Sequence, residues 1–189
     1  MDTVHTTYVN FYAPIAPESV GLLFNVIQQK LQQGTGRFVL LISSPGGNVA
    51  AGLSAYNFLK GIDAEVETHN FGSVDSIAIA VFCAGKRRYC VKNARFFMHG
   101  IGFDVPQGTR FEARQLDEKQ KSLKIDRENV ATVIAENCKR TAKEIDSDMM
   151  EVKELNASDA ISYGLVHEIK DELYPHGADV VNISIWPKQ

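Results

Sequence analysis

What most constrains this chain is a regular alternation, across its first half, of strand-like runs with segments whose apolar residues recur at helical spacing. YVNFYAPI, Tyr8 to Ile15, reads as a strand. SVGLLFNVIQQKLQQ, Ser19 to Gln33, reads as an amphipathic helix, and RFVLLIS, Arg37 to Ser43, as a buried strand bounded by Gly36 and Pro45. A helix from Val49 to Leu59, a strand from Ala64 to Phe71 and a helix within FGSVDSIAIAVFCAG, Phe71 to Gly85, complete a β-α-β-α-β-α series. Such a series predicts an α/β fold with a mostly parallel sheet layered by helices.

Two short strands, RRYCV and ARFFMHG, are expected next, followed by a turn region from Gly102 to Gly108. From Thr109 to Lys143 no glycine or proline interrupts a polar-rich pattern, so one long helix is expected, either lying along the domain or projecting toward another subunit. NASDAISYG predicts a short helix with Asn156 as N-cap and Gly164 as C-cap, and LVHEI, Leu165 to Ile169, a strand. DELYPHGADVV reads as a loop, and VNISIWPKQ as an edge strand whose docking partner is not legible.

With 189 residues the chain is long enough to bury a single core without disulfides, so one domain, 1–189, is expected. Its 20 basic and 23 acidic residues leave a formal charge of −3, with no basic block suited to nucleic acid. Cys83, Cys90 and Cys138 are an odd number without metal-ligand spacing and are read as reduced core thiols of a cytoplasmic protein. No signal-peptide pattern and no membrane-length apolar run is legible, so no membrane partner is expected.

A serine becomes a nucleophile when a base takes its proton and donors stabilise the oxyanion that forms. Ser76 follows a strand, Gly72 and a polar turn, where a helix is expected to begin; its other reading is a helix cap. Of five histidines, His99 stands at the exit of the apolar strand ARFFM, where a side chain can face a cleft. SSPGGNV, Ser43 to Val49, ends a strand with Pro45 and two glycines whose backbone lets N–H groups approach a ligand, though Pro-Gly-Gly is also ordinary turn chemistry. Parallel α/β sheets collect ligands at the carboxyl ends of their strands, the edge these three segments share. Asp75 is read as an N-cap, because a carboxylate beside a nucleophile would oppose the negative charge of the transition state.

These segments resemble the Clp protease proteolytic subunit (ClpP) family of serine peptidases. SPGGNVAAGLSAYNFLK is similar to that family's Ser-Pro-Gly-Gly loop and helix, and GSVDSIAIAVFCAG to its nucleophile segment. KRRYCVKNARFFMH resembles the strand pair before its catalytic histidine, and NASDAISYGLVHEI its C-terminal motif. The resemblance implies the ClpP/crotonase fold, with repeated β-β-α units and a long handle helix joining two stacked rings. It makes Ser76 the nucleophile, His99 the general base and the N–H groups of Gly47 and Ile77 the oxyanion hole. A serine endopeptidase acting on peptide or unfolded protein, in an oligomeric ring and without metal or organic cofactor, follows from it.

Three departures accompany the resemblance. The family's triad aspartate falls, by ungapped counting back from Tyr163, on Val152; Glu151 is the nearest acid and Asp148 the next, and a Ser-His dyad oriented by a backbone carbonyl is the third arrangement. Asp75 replaces a small residue. Only about seven residues precede the first strand where the family has its axial pore loops, which argues against the usual docking of a Clp-type ATPase. The competing functions are a catalytically inactive ClpP-like structural subunit and a crotonase-type acyl-CoA enzyme using Asp75 or Glu151. A Ser-Lys dyad with Lys121 or Lys124 is unnecessary beside His99.

Overall fold

The computed structural model describes residues 4–186; the ends of the expected domain, 1–3 and 187–189, lie outside the described residues. Strands β1 (Thr6–Tyr12), β2 (Arg37–Ser44) and β3 (Glu65–Asp75) alternate with helices α1 (Pro17–Gln32), α2 (Val49–Gly61) and α3 (Ala78–Phe82), as the periodicity predicts. Strands β4 (Arg87–Cys90) and β5 (Arg95–Met98) follow, then α4 (Ala113–Glu136), α5 (Ala142–Glu151), β6 (Lys153–Asn156), α6 (Ala157–Tyr163), β7 (Glu168–Ile169) and β8 (Asp179–Ile183).

The sheet runs β6-β5-β3-β2-β1-β8, with β4 pairing both β3 and β7, and every pairing except β5 with β6 is parallel. β3 is long enough to serve two partners. Its Glu67 to Asn70 stretch pairs β4, and its Ser73 to Asp75 stretch pairs β5. Asn70 bridges the change, donating from Nδ2 to Arg95 O at 2.8 Å while its Oδ1 accepts from Gly72 N at 2.9 Å. The core fills with side chains such as Phe11, Ile27, Phe38, Phe82 and Phe96, with Phe82 and Phe96 packed edge to face at 5.1 Å.

Several expected boundaries are corrected. The single helix from Thr109 to Lys143 is two helices. Thr141 caps α5, its Oγ1 accepting from Glu144 N at 3.3 Å and its N–H donating to Glu144 Oε2 at 2.8 Å, a reciprocal box that starts a new helix without glycine or proline. α4 ends against Arg88, which is 6% exposed and donates from Nη2 to Asn137 O at 2.5 Å. The guanidinium also donates to Leu165 O at 2.7 Å, Gly85 O at 3.1 Å and Gly164 O at 3.3 Å, with His167 Nε2 3.1 Å from Nη2, so this buried cation is held mainly by carbonyls. The helix expected up to Gly85 is the short α3, because β3 runs on to Asp75; the last strand of LVHEI shrinks to β7.

The cap pair of α6 is found as expected: Asn156 Oδ1 accepts from Asp159 N at 2.9 Å, and Gly164 is left-handed. β8 begins at Asp179, before the expected Val181, and docks parallel to β1. Asp179 pins it there, accepting from Lys30 Nζ at 2.8 Å and from Thr7 Oγ1 at 2.7 Å, and these contacts hold its carboxyl below the usual range. The cysteines are free; burial pushes Cys83 up to about 12 and Cys90 to about 11.

Candidate active site

Ser76 is where β3 stops and the chain turns into α3. It has φ 56, one of two non-glycine residues with positive φ among those described, a conformation that costs about 1–2 kcal/mol for an L side chain. The turn is held by Ser76 N–H, which donates to Phe97 O at 2.7 Å across the β3–β5 pair. The Pro45-Gly46-Gly47 loop closes over it. A Cβ on Gly46, at φ 85, would stand 2.7 Å from both Asp75 O and Ser76 Cβ, so the loop approaches the serine as only glycine permits.

Gly47 adopts φ 145 and lies in a bridge with Ile15, flanked by Ile15 N to Gly46 O and Asn48 N to Ile15 O, each 2.8 Å. Those bonds occupy its neighbours. Among the described residues neither Gly47 N nor Ile77 N has a hydrogen-bond acceptor.

His99 follows β5 and shares one narrow pocket with Ser76 and Ile77, walled by Val49, Met98, Ile101, Val130 and Met149. Its Nδ1 lies 2.8 Å from Gly100 O. A carbonyl can only accept, so Nδ1 is the donor, which in a neutral imidazole leaves Nε2 as the acceptor a general base requires. Among the described residues no hydrogen bond joins Ser76 Oγ to His99; such contacts often close only once substrate is bound.

The two candidate carboxylates are engaged elsewhere. Glu151 Oε1 accepts from Ser147 Oγ at 3.2 Å on the exposed side of α5. Asp148 accepts from Tyr163 OH at 2.6 Å and from Lys153 Nζ at 3.1 Å. Val152 is the second positive-φ residue, at φ 61, and stands one step beyond the antiparallel pair Met98–Lys153, level with His99.

The reading of Asp75 as a helix cap is corrected. α3 has Ile77 at its N-cap and no side-chain capping bond. Asp75 is still in β3, and its carboxylate accepts from Ser73 Oγ at 2.6 Å and from Arg95 Nη2 at 3.2 Å. The sequence reasoning missed Arg95 and the pocket walls. Arg95, Phe97 and His99 recur at period two in ARFFMH, the spacing that puts them on one face of a strand.

The family model for Clp protease matches residues 20–172. The chain belongs to the Clp protease family. A solved structure of a ClpP1 point mutant from Listeria monocytogenes superposes with a TM-score of 0.77, covering 87% of this chain and 91% of its own at 24% identity, a likeness that shows the fold. Membership makes the chain a ClpP-type serine hydrolase, and the site elements above lie within the matched residues apart from Ile15, whose bridge supports the glycine loop.

Proposed function

We propose that this Clp protease family member is a serine endopeptidase that works through an acyl-enzyme on Ser76. Ser76 Oγ attacks the scissile carbonyl while its proton passes to His99 Nε2; the carbonyl oxygen becomes an oxyanion facing Gly47 N–H and Ile77 N–H. His99 then gives that proton to the leaving amine, and water repeats the sequence to free the acid and restore the serine. Gly100 O orients the imidazole, making the site a Ser-His dyad. Glu151 and Asp148 would have to leave their present partners to act as a third member. The attack, the proton transfers and the hydrolysis drawn here call on no cofactor.

The observation that carries this reading is the meeting of Ser76, His99 and Ile77, whose backbone N–H has no acceptor among the described residues, in one pocket; Gly47 lines a neighbouring cleft that shares Val49 and Ile101 with it. The apolar walls of the serine pocket favour a peptide with an apolar side chain just before the cleaved bond. The crotonase-type reading calls on a carboxylate, Asp75 or Glu151, at the pocket, and among the described residues the lining contains none. The β-α alternation that ends in β4, β5 and α4 is read as the ClpP/crotonase fold. The exposed stretch of α4 from Ala113 to Ile125, with Leu116 and Ile125 turned to solvent, is read as the handle through which rings of this chain stack. A cytoplasmic location accompanies this reading; among the described residues no helix is long and apolar enough to cross a membrane.

Labelling by a fluorophosphonate probe, followed by intact mass, tests the proposal. One adduct is expected on the native chain, none on Ser76→Ala, and a much slower one on His99→Ala. No adduct on folded native protein would replace the peptidase by an inactive ClpP-like subunit.

A further inference from the structure

An acidic residue immediately before a nucleophilic serine is electrostatically costly, since its charge opposes the oxyanion. The structure answers that cost with Arg95. β3 and β5 pair so that Ser73 faces Arg95 and Asp75 faces Phe97. Ser73 Oγ donates to Asp75 Oδ1 at 2.6 Å, Arg95 Nε donates to Ser73 Oγ at 3.2 Å, and Arg95 Nη2 donates to Asp75 Oδ2 at 3.2 Å, closing a triangle. The Asp75 side chain is only 13% exposed while that of Arg95 is 52% exposed, so the arginine lies over the carboxylate from the solvent side.

The same arginine reaches the other half of the site. Its Cζ is 5.7 Å from the centre of the Phe97 ring, and that ring is 5.4 Å from the His99 imidazole. Phe97 also supplies the carbonyl that accepts from Ser76 N–H. Arg95 therefore contacts both Asp75, the residue before Ser76, and Phe97, whose ring lies beside His99.

We infer that Arg95 is a positioning and charge-balancing residue: it neutralises Asp75 beside the nucleophile and, through Phe97, holds β5 so that His99 faces Ser76. This rests on the peptidase reading of the site. Arg95 touches neither substrate nor the reacting atoms, and its effect falls on the rate of acylation rather than on peptide binding.

The test is steady-state cleavage of a short chromogenic peptide anilide, whose amine leaving group makes acylation limiting, together with fluorophosphonate labelling, on folded variants checked by circular dichroism. Failure of the native chain to label would remove the peptidase reading itself. With the native chain active, Arg95→Met is expected to lower kcat on the order of 10- to 100-fold with KM changed by about twofold or less. Arg95→Lys, which keeps the charge, recovers most of that loss. Adding Asp75→Asn to Arg95→Met also recovers activity, because the uncompensated carboxylate is gone. Asp75→Asn alone raises kcat and, being nearly isosteric, tests the charge argument even if Arg95→Met fails to fold. Native kcat in Arg95→Met, a loss confined to KM, or a fall in kcat in Asp75→Asn would each overturn the inference.

Discussion

Ser76 N–H donates to Phe97 O at 2.7 Å, and through this bond the strand that ends in the serine is tied to the strand that leads to His99. On the opposite side Gly46 presses against Asp75 O and Ser76 Cβ. The serine is thus clamped between a strand and a glycine loop in a backbone conformation it would not choose by itself.

Replacing Gly46 by alanine should break that clamp. The added methyl meets backbone at 2.7 Å, and the residue must hold φ 85. Together these should lower stability by about 2 kcal/mol, read by urea denaturation, and slow fluorophosphonate labelling by on the order of 100-fold. Native labelling in a destabilised Gly46→Ala would show that loop contact and reactivity are independent.

Val152 offers the opposite change. A β-branched residue at φ 61 is strained, and asparagine tolerates such backbone better, so Val152→Asn should stabilise the chain by about 1 kcal/mol in denaturant melts. Val152→Asp carries the same relief and sets a carboxylate level with His99, one step past the Met98–Lys153 pair. Labelling is expected to accelerate about tenfold or more as the acid supports the imidazolium. A Val152→Asp chain that labels at the native rate would mean that Gly100 O alone orients His99.

Of the proposed site, SPGG, Ser76 and His99 stood out at the ends of strands, but each also read as ordinary turn, cap or packing chemistry, and it was the resemblance to the ClpP family that joined them. Asp75 was misread because its partner Arg95 lies on another strand, and a lone aspartate before a helix looks like a cap. The break between α4 and α5 did have a local mark, since Thr141 and Glu144 stand at capping-box spacing, but the surrounding polar pattern stays helical through it. The other half of that break, Arg88 on the Asn137 carbonyl, is a long-range contact. The docking of β8 on β1 is likewise set by Asp179, Lys30 and Thr7, residues far apart in the chain.

Arg88 joins β4, the end of α4 and the Gly164 turn through four backbone carbonyls. Methionine fills similar space but donates nothing, and each buried carbonyl left without a donor costs about 1–3 kcal/mol. Arg88→Met is therefore expected to lose more than about 3 kcal/mol, measured by chemical denaturation. A loss under about 1 kcal/mol would mean water replaces the guanidinium at no cost.

Acid should weaken the fold in two separate windows. Burial lowers the pKa of His69, which is tied to Lys170 O at 2.8 Å, and burial together with Arg88 lowers that of His167. Both remain neutral in the folded chain at a pH where an unfolded histidine, at 6.5, takes up a proton. Stability is then full above 6.5, falls as pH drops from there to the folded pKa values, and stays reduced below them. Asp179 adds a later loss: its depressed pKa contributes stability above 3.8 that disappears as pH falls through the folded value. Urea midpoints should thus be flat from pH 8 to about 7 and decline below about 6.5, with His69→Gln and His167→Gln each making the first decline shallower. Asp179→Asn should leave that first decline intact and flatten the second, whereas a single acid transition unaffected by either histidine change would assign the sensitivity to the carboxylates alone.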